Sequence, residues 1–229
     1  MRRLCAPIPI LFALALTLVG CFGKFEPKTF EEIQLELLAS QIAKVNAGKQ
    51  DFILFLESRN TDLLLDVLVN DVHELERIRS MEFVVSDLTN NGLTKLAALP
   101  SLTRLTIDGG NGVSELGLEA TVAFPKLKFL KIVNLLTTTR VFEIALRIDS
   151  LESMCIGMNP QSVIDRPFTN DARIDIAKSK MRELVLVHAP FDGSKREYLQ
   201  HELGDILLFR DEIPEPWPDS WSSELQKGN

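Results

Sequence analysis

The side chains best suited to metal or nucleophile chemistry in this 229-residue chain are few: His73, His188 and His201, with Cys5, Cys21 and Cys155. A zinc site wants several His or Cys ligands at short spacing. Here no two histidines lie closer than 13 residues, the separation of His188 and His201. His188 and Asp192 could form a general acid–base pair. No nucleophile motif accompanies them: the G-x-S-x-G elbow, the Walker loop and the dinucleotide fingerprint are all missing. Gly109-Gly110-Asn111-Gly112 is glycine-rich, but its better explanation is a turn between strand and helix. Cys155, on an apolar strand pattern, reads as a small hydrophobe rather than a reactive thiol. The expectation is therefore a protein without catalytic residues, metal ligands or cofactors.

The elements around these residues are written as repeats. Leu99-Pro100-Ser101-Leu102-Thr103-Arg104-Leu105-Thr106-Ile107 returns as Phe124-Pro125-Lys126-Leu127-Lys128-Phe129-Leu130-Lys131-Ile132, 25 residues later. Thr89, Gly92 and Leu93 return as Ser114, Gly117 and Leu118 at the same offset. A fixed period in this range marks units that bury their apolar faces only against their neighbours. The strand line also appears one unit earlier, as Ile78, Met81 and Phe83, and one later, as Leu151, Met154 and Ile156, each at an offset of 24. Its next copy, Met181, Leu184 and Leu186, is offset by 30, which places an insertion in the two-proline stretch 160–167.

Flanking elements complete the series. Thr29 and Glu32 fit a capping box, followed by Leu35, Leu38, Ile42 and Val45 on one helical face and Gly48 as a stop. Residues 52–56 read as a buried strand. Leu64, Leu68, Val72 and Leu75 follow helical spacing from Thr61, with His73 among them. Leu93, Leu96 and Leu99 mark the helix of the clearest unit. A helix around residues 198–203, carrying His201, precedes a last strand at 206–209.

The LxxLxI strand line, preceded by an apolar-Ser/Thr-acid/Asn-x-Gly-Leu helix start at 88–93 and 113–118, resembles leucine-rich repeats of the ribonuclease-inhibitor-like type. The resemblance implies an α/β fold: a short curved solenoid of parallel strands, helices on the outer side and an N-terminal capping helix. It also implies a protein-binding role. The pattern departs from the family at the Asn or Cys three residues past the last strand apolar. Only Asn159 stands there, while Ser86 and Gly110 occupy two equivalent places. A plainer α/β sandwich with one parallel sheet is the alternative.

If the leucine positions face the helices, their neighbours face the other side by the period-two rule. This assigns Glu82 and Val84, then Arg104, Thr106 and Asp108, then Phe129, Lys131 and Val133, then Ser153 and Cys155, then Glu183, Val185 and Val187 to the open face. Glu82, Arg104, Thr106, Asp108, Phe129 and Lys131 are the concave-face binding candidates, an aromatic anchor with a charged rim; the alternative is that a neighbouring segment covers this face, the candidate being the tail at 214–221.

At the N-terminus, Arg2 and Arg3 precede an apolar run at 10–19, too short for a membrane span and right for a signal-peptide core. The run ends in Leu18-Val19-Gly20-Cys21, which resembles the lipobox of bacterial lipoproteins. The resemblance implies removal of 1–20 and a diacylglyceryl-modified, fatty-acylated (palmitate-bearing) Cys21 at the mature N-terminus. Phe22 in place of Asp after that cysteine leans towards the outer membrane. An ordinary secretory signal with a chance cysteine is the alternative. The expected layout is signal peptide 1–20, lipidated cysteine and tether 21–29, repeat domain 30–213, and tail 214–229.

Residues 21–229 carry 23 basic and 32 acidic side chains, a formal charge of −9. This makes nucleic acid a poor partner. The tail holds Pro214, Pro216 and Pro218 and both tryptophans, Trp217 and Trp221. Its prolines exclude a regular helix or a central strand. Two tryptophans have little use in a solvated tail, so they should dock on this domain or on a partner. The functional expectation is a lipid-anchored envelope protein binding an unknown protein partner through the open strand face. Its rivals are an assembly factor contacting partners through its helices, and a hydrolase with a dispersed site.

Overall fold

Short strand patterns that alternate with helical runs point to parallel strands joined by helical crossovers. The computed structural model describes residues 28–109, 112–172 and 178–212. Cys21 and the tail 214–229 lie outside the described residues, as do residues 1–20. The chain divides into two units, Met1–Ile33 and Gln34–Asn229. In the first, the capping box forms: the Glu32 carboxylate accepts from the Thr29 backbone N–H at 2.7 Å, and the Thr29 hydroxyl accepts from the Glu32 N–H at 3.2 Å.

The second unit is α/β, with one open, all-parallel sheet of seven strands in sequential order among the described residues. The elements of the chain run α1 (Phe30–Asn46), which begins in the first unit, then β1 (Phe52–Leu56), α2 (Thr61–Asp71), β2 (Ser80–Val84), α3 (Asn90–Lys95), β3 (Arg104–Asp108) and α4 (Glu115–Glu119). They continue as β4 (Phe129–Leu135), α5 (Thr139–Leu146), β5 (Ser153–Met158), β6 (Glu183–Val187), α6 (Gly193–Leu203) and β7 (Leu207–Arg210). Strand pairing reproduces the repeat offsets. Met81 pairs with Leu105, Leu105 with Leu130, Leu130 with Met154, and Met154 with Leu184.

Two apolar rows therefore cross the sheet: Ile53, Met81, Leu105, Leu130, Met154, Leu184 and Leu207, and beside it Phe55, Phe83, Ile107, Ile132, Ile156, Leu186 and Phe209. Leu64, Leu65 and Leu68 of α2, Leu93 of α3, Leu118 of α4 and Val141 and Phe142 of α5 share one core with these rows. Phe55 stacks on Phe83 with ring centroids 4.9 Å apart.

Several readings need correction. Leu35 is exposed; Gln34 instead joins Leu38, Ile42 and Val45 on the buried side of α1. Its amide donates to Glu57 O at 2.9 Å and accepts from Arg59 N at 3.2 Å. Gln41, two turns on, donates to Leu54 O and accepts from Leu54 N, both at 2.8 Å. Gln41 thus imitates a neighbouring strand on the edge of β1, which would otherwise template pairing with another chain, and Gln34 does the same for the residues just past it. Helix α2 ends at Asp71, so His73 lies beyond it and Leu75 begins a separate 3₁₀ turn. Helices α3 and α4 are short, with 3₁₀ turns completing them before Leu99 and Phe124. Helix α5, between β4 and β5, is the counterpart of α3 and α4: its cap Thr138 follows Ser114, the residue before α4, by 24, the offset between β4 and β5. Thr138 caps it, accepting from Arg140 N.

Each early repeat turns at its strand end through a left-handed residue: Glu57 after β1, Val85 after β2, Gly109 after β3, with Asn134 at the bulge of β4 and His188 after β6. Gly109, at φ 79°, is thus a turn residue, as its sequence suggests. A Cβ on Gly92 would sit 2.2 Å from Asp62 Oδ1, and one on Gly117 2.3 Å from Asn90 Oδ1. The duplicated glycines make room for polar side chains from the preceding repeat.

Candidate functional site

Those polar side chains hold the repeats in register. Asp62 accepts from Thr89 N at 3.2 Å, Asn90 accepts from Ser114 N at 2.9 Å, and Asp165 accepts from Thr139 N at 3.1 Å. Asp87 accepts from Asn60 N and Thr61 N, both at 2.8 Å. Burial pushes the Asp87 carboxyl up, but these backbone donors outweigh it and hold the group below the usual carboxylate range. The helix starts therefore carry the bonds that tie one repeat to the next. Three residues past the last strand apolar, Ser86 is buried and its hydroxyl has no hydrogen-bond partner among the described residues, while Asn159 serves its own loop by accepting from Gln161 N. Sequence reading missed this ladder, although Asp62 and Asn90 lie 28 residues, about one unit, apart.

With the helices committed to one side, the other side of the sheet is the open face. Its middle row is Leu54, Glu82, Thr106, Lys131, Cys155, Val185 and Leu208, in pairing register. The row before it carries Ser80, Arg104, Phe129, Ser153 and Glu183. All six candidates are brought together on β2, β3 and β4. Glu82 is exposed, and Arg104, Thr106, Asp108, Phe129 and Lys131 are half-buried. Burial pulls the Arg104 guanidinium below its ordinary value, against the opposing pull of Glu82 and Asp51. Cys155, Val185 and Val187 share the face but are fully buried.

Compared with protein-family models and with curated proteins, the chain matches none. The reading of its face thus stands on the geometry alone.

Elsewhere, a cavity of about 330 Å³ lies between α1 and β1, lined by Leu37, Gln41, Lys44, Phe52, Leu54 and Leu56. A second, of about 310 Å³, lies on the helix side. There Glu119 pairs with Arg140 and Arg147, and Glu143 with Arg166. These charges are mutually satisfied. The histidines are not brought together. His188 sits in a strand-end turn, and exposed His201 on α6 has Nδ1 3.4 Å from a Glu202 carboxylate oxygen. Asp192 caps α6, accepting from Lys195 N at 2.9 Å and Ser194 Oγ at 2.8 Å. Those bonds hold its carboxyl below the usual range. Among the described residues no group of three or more His, Cys, Asp or Glu could hold a metal ion, and no helix is long and apolar enough to cross a membrane.

Proposed function

We propose that this chain is a lipid-anchored envelope protein whose leucine-rich-repeat-like solenoid binds a protein partner through the open strand face. The observation that carries the reading is the register of that face. Glu82, Thr106 and Lys131 fall in one row, flanked by Arg104, Phe129 and Asp108. Seven sequential parallel strands with helices in the crossovers support the repeat reading. An anchor aromatic within a mixed-charge rim is the composition of a protein interface. The anchor at Cys21 and the outer-membrane placement rest on the sequence resemblance.

The test is a pull-down from membranes with the lipidated protein, its R104A/F129A/K131A variant and a helix-side variant, R140A/R147A. Truncating central interface residues costs on the order of 2 kcal/mol or more each at hot spots. Recovery of the partner should therefore fall at least ~10-fold for the face variant, at unchanged melting temperature. The helix-side variant should retain it. Loss with R140A/R147A alone would favour contact through the helices.

A further inference from the structure

On the open face, burial divides sharply along one row. Glu82 on β2 is exposed and Thr106 and Lys131 are half-buried, yet Cys155 and Val185 on β5 and β6 are 0% and 1% exposed, and Val187 is 0% exposed. A residue on one face of a sheet keeps contact with solvent unless something lies over it. The apolar residues of this patch are Cys155, Val185 and Val187, with Leu208 packed against them, all strand residues of β5, β6 and β7. The helices belong to the other core. So do Ala172 and Met181, on either side of residues 173–177.

We infer that the C-terminal segment 213–229 folds back across this end of the open face, seating Trp217 and Trp221 on the Cys155–Val185–Val187–Leu208 patch. Three observations favour this segment. It follows β7, the strand that carries Leu208 of the patch. Trp217 lies seven residues beyond Arg210, a reach of about 20 Å at ~3.1 Å per residue in the extended form its prolines favour. Crossing from β7 to β5 needs only about 10 Å, two strand spacings. Its composition also fits: two large aromatic rings for the apolar patch, and Glu215, Asp219 and Glu224 for the basic residues beyond it, Lys131 and Arg104 on β4 and β3. Residues 1–27, by contrast, join the chain ahead of α1, whose Gln41 borders β1 at the far edge of the sheet.

Docking does not depend on the face having a partner.

Two readouts on the full chain test this. Trp217 and Trp221 are the only tryptophans, so fluorescence reports on this segment alone. Alkylation by N-ethylmaleimide, read by peptide mass spectrometry, follows Cys155 separately from Cys5 and Cys21. The expected result is blue-shifted emission, acrylamide quenching several-fold weaker than for free tryptophan, and slow Cys155 alkylation. That alkylation should accelerate at least tenfold both in a chain ending at Glu212 and in full-length W217S/W221S, with the circular dichroism spectrum unchanged. The wild-type quenching and the double variant keep the test valid if the shortened chain does not fold. Emission and quenching like free tryptophan overturn the inference. So does blue-shifted emission with Cys155 alkylation unaffected by W217S/W221S, which would place the tryptophans elsewhere. Protection lost only on removal of residues 1–27 would assign the cover to the leader and overturn it equally.

Discussion

Leu105→Ala and Leu130→Ala are each expected to lower unfolding free energy by about 2–5 kcal/mol, the range for large-to-small changes at fully buried sites. Both side chains are 0% exposed, and they pair directly across β3 and β4 in the same apolar row. Each truncation leaves a void between the sheet and the helices that Leu93 and Leu118 help to close. Protein interiors are close-packed, so such a void relaxes only partly. Thr106→Ala and Lys131→Ala, one residue along each strand, remove groups from the opposite face and should cost below about 1 kcal/mol. Urea denaturation of the four variants checks this. Equal losses in both pairs would mean the strand register is off by one, since a slip of one residue exchanges the faces.

That register was legible because the repeats are written on the strands. The offsets of 24, 25, 24 and 30 between successive apolar lines are those the pairing realises, insertion included. The side on which Arg104, Thr106, Phe129 and Lys131 fall followed from alternation alone. Features that depend on contacts between repeats were not legible. Gln34 and Gln41 read as ordinary polar residues of an amphipathic helix until β1 is known to be an edge strand, where Gln41 occupies the peptide groups of Leu54 and Gln34 those of Glu57 and Arg59 just beyond it. Gly92 and Gly117 were visible as a repeated pair, but their reason, the carboxylate of Asp62 and the amide of Asn90 pressed against them, is a contact between neighbouring repeats. Helix α5 was missed because the duplicated text stops before it; its signals are the Thr138 cap and the apolar side formed by Val141, Phe142 and Ala145. A cover over this face was readable as an alternative, but not that it would bury Cys155 and Val185 and leave Glu82 exposed, since alternation assigns a face and does not say which part of it is covered.

Cys21→Ser is expected to abolish labelling by a fatty-acid probe completely and to leave an uncleaved precursor. Acyl chains contribute ~0.8 kcal/mol per buried CH₂, and several on one cysteine anchor stably where a single chain is marginal. The variant should consequently lose its membrane association as well as its label. The substitution changes none of the residues that make up the two apolar rows. Metabolic labelling followed by N-terminal mapping of the wild type decides the matter. Continued labelling of the variant, or a natural N-terminus elsewhere than Cys21, would remove the lipoprotein reading while leaving the strand face intact as an interface.

The central claim is that the strand face, and not the helix side, meets the partner. Site-specific photocrosslinking in intact cells tests it most directly, with p-benzoylphenylalanine placed at Thr106 on the middle row or at Leu116, which is 71% exposed on α4. The account predicts a discrete crosslinked species from position 106 that disappears when R104A/F129A/K131A is added, and none from position 116. A discrete species from position 116 with none from position 106 would contradict it.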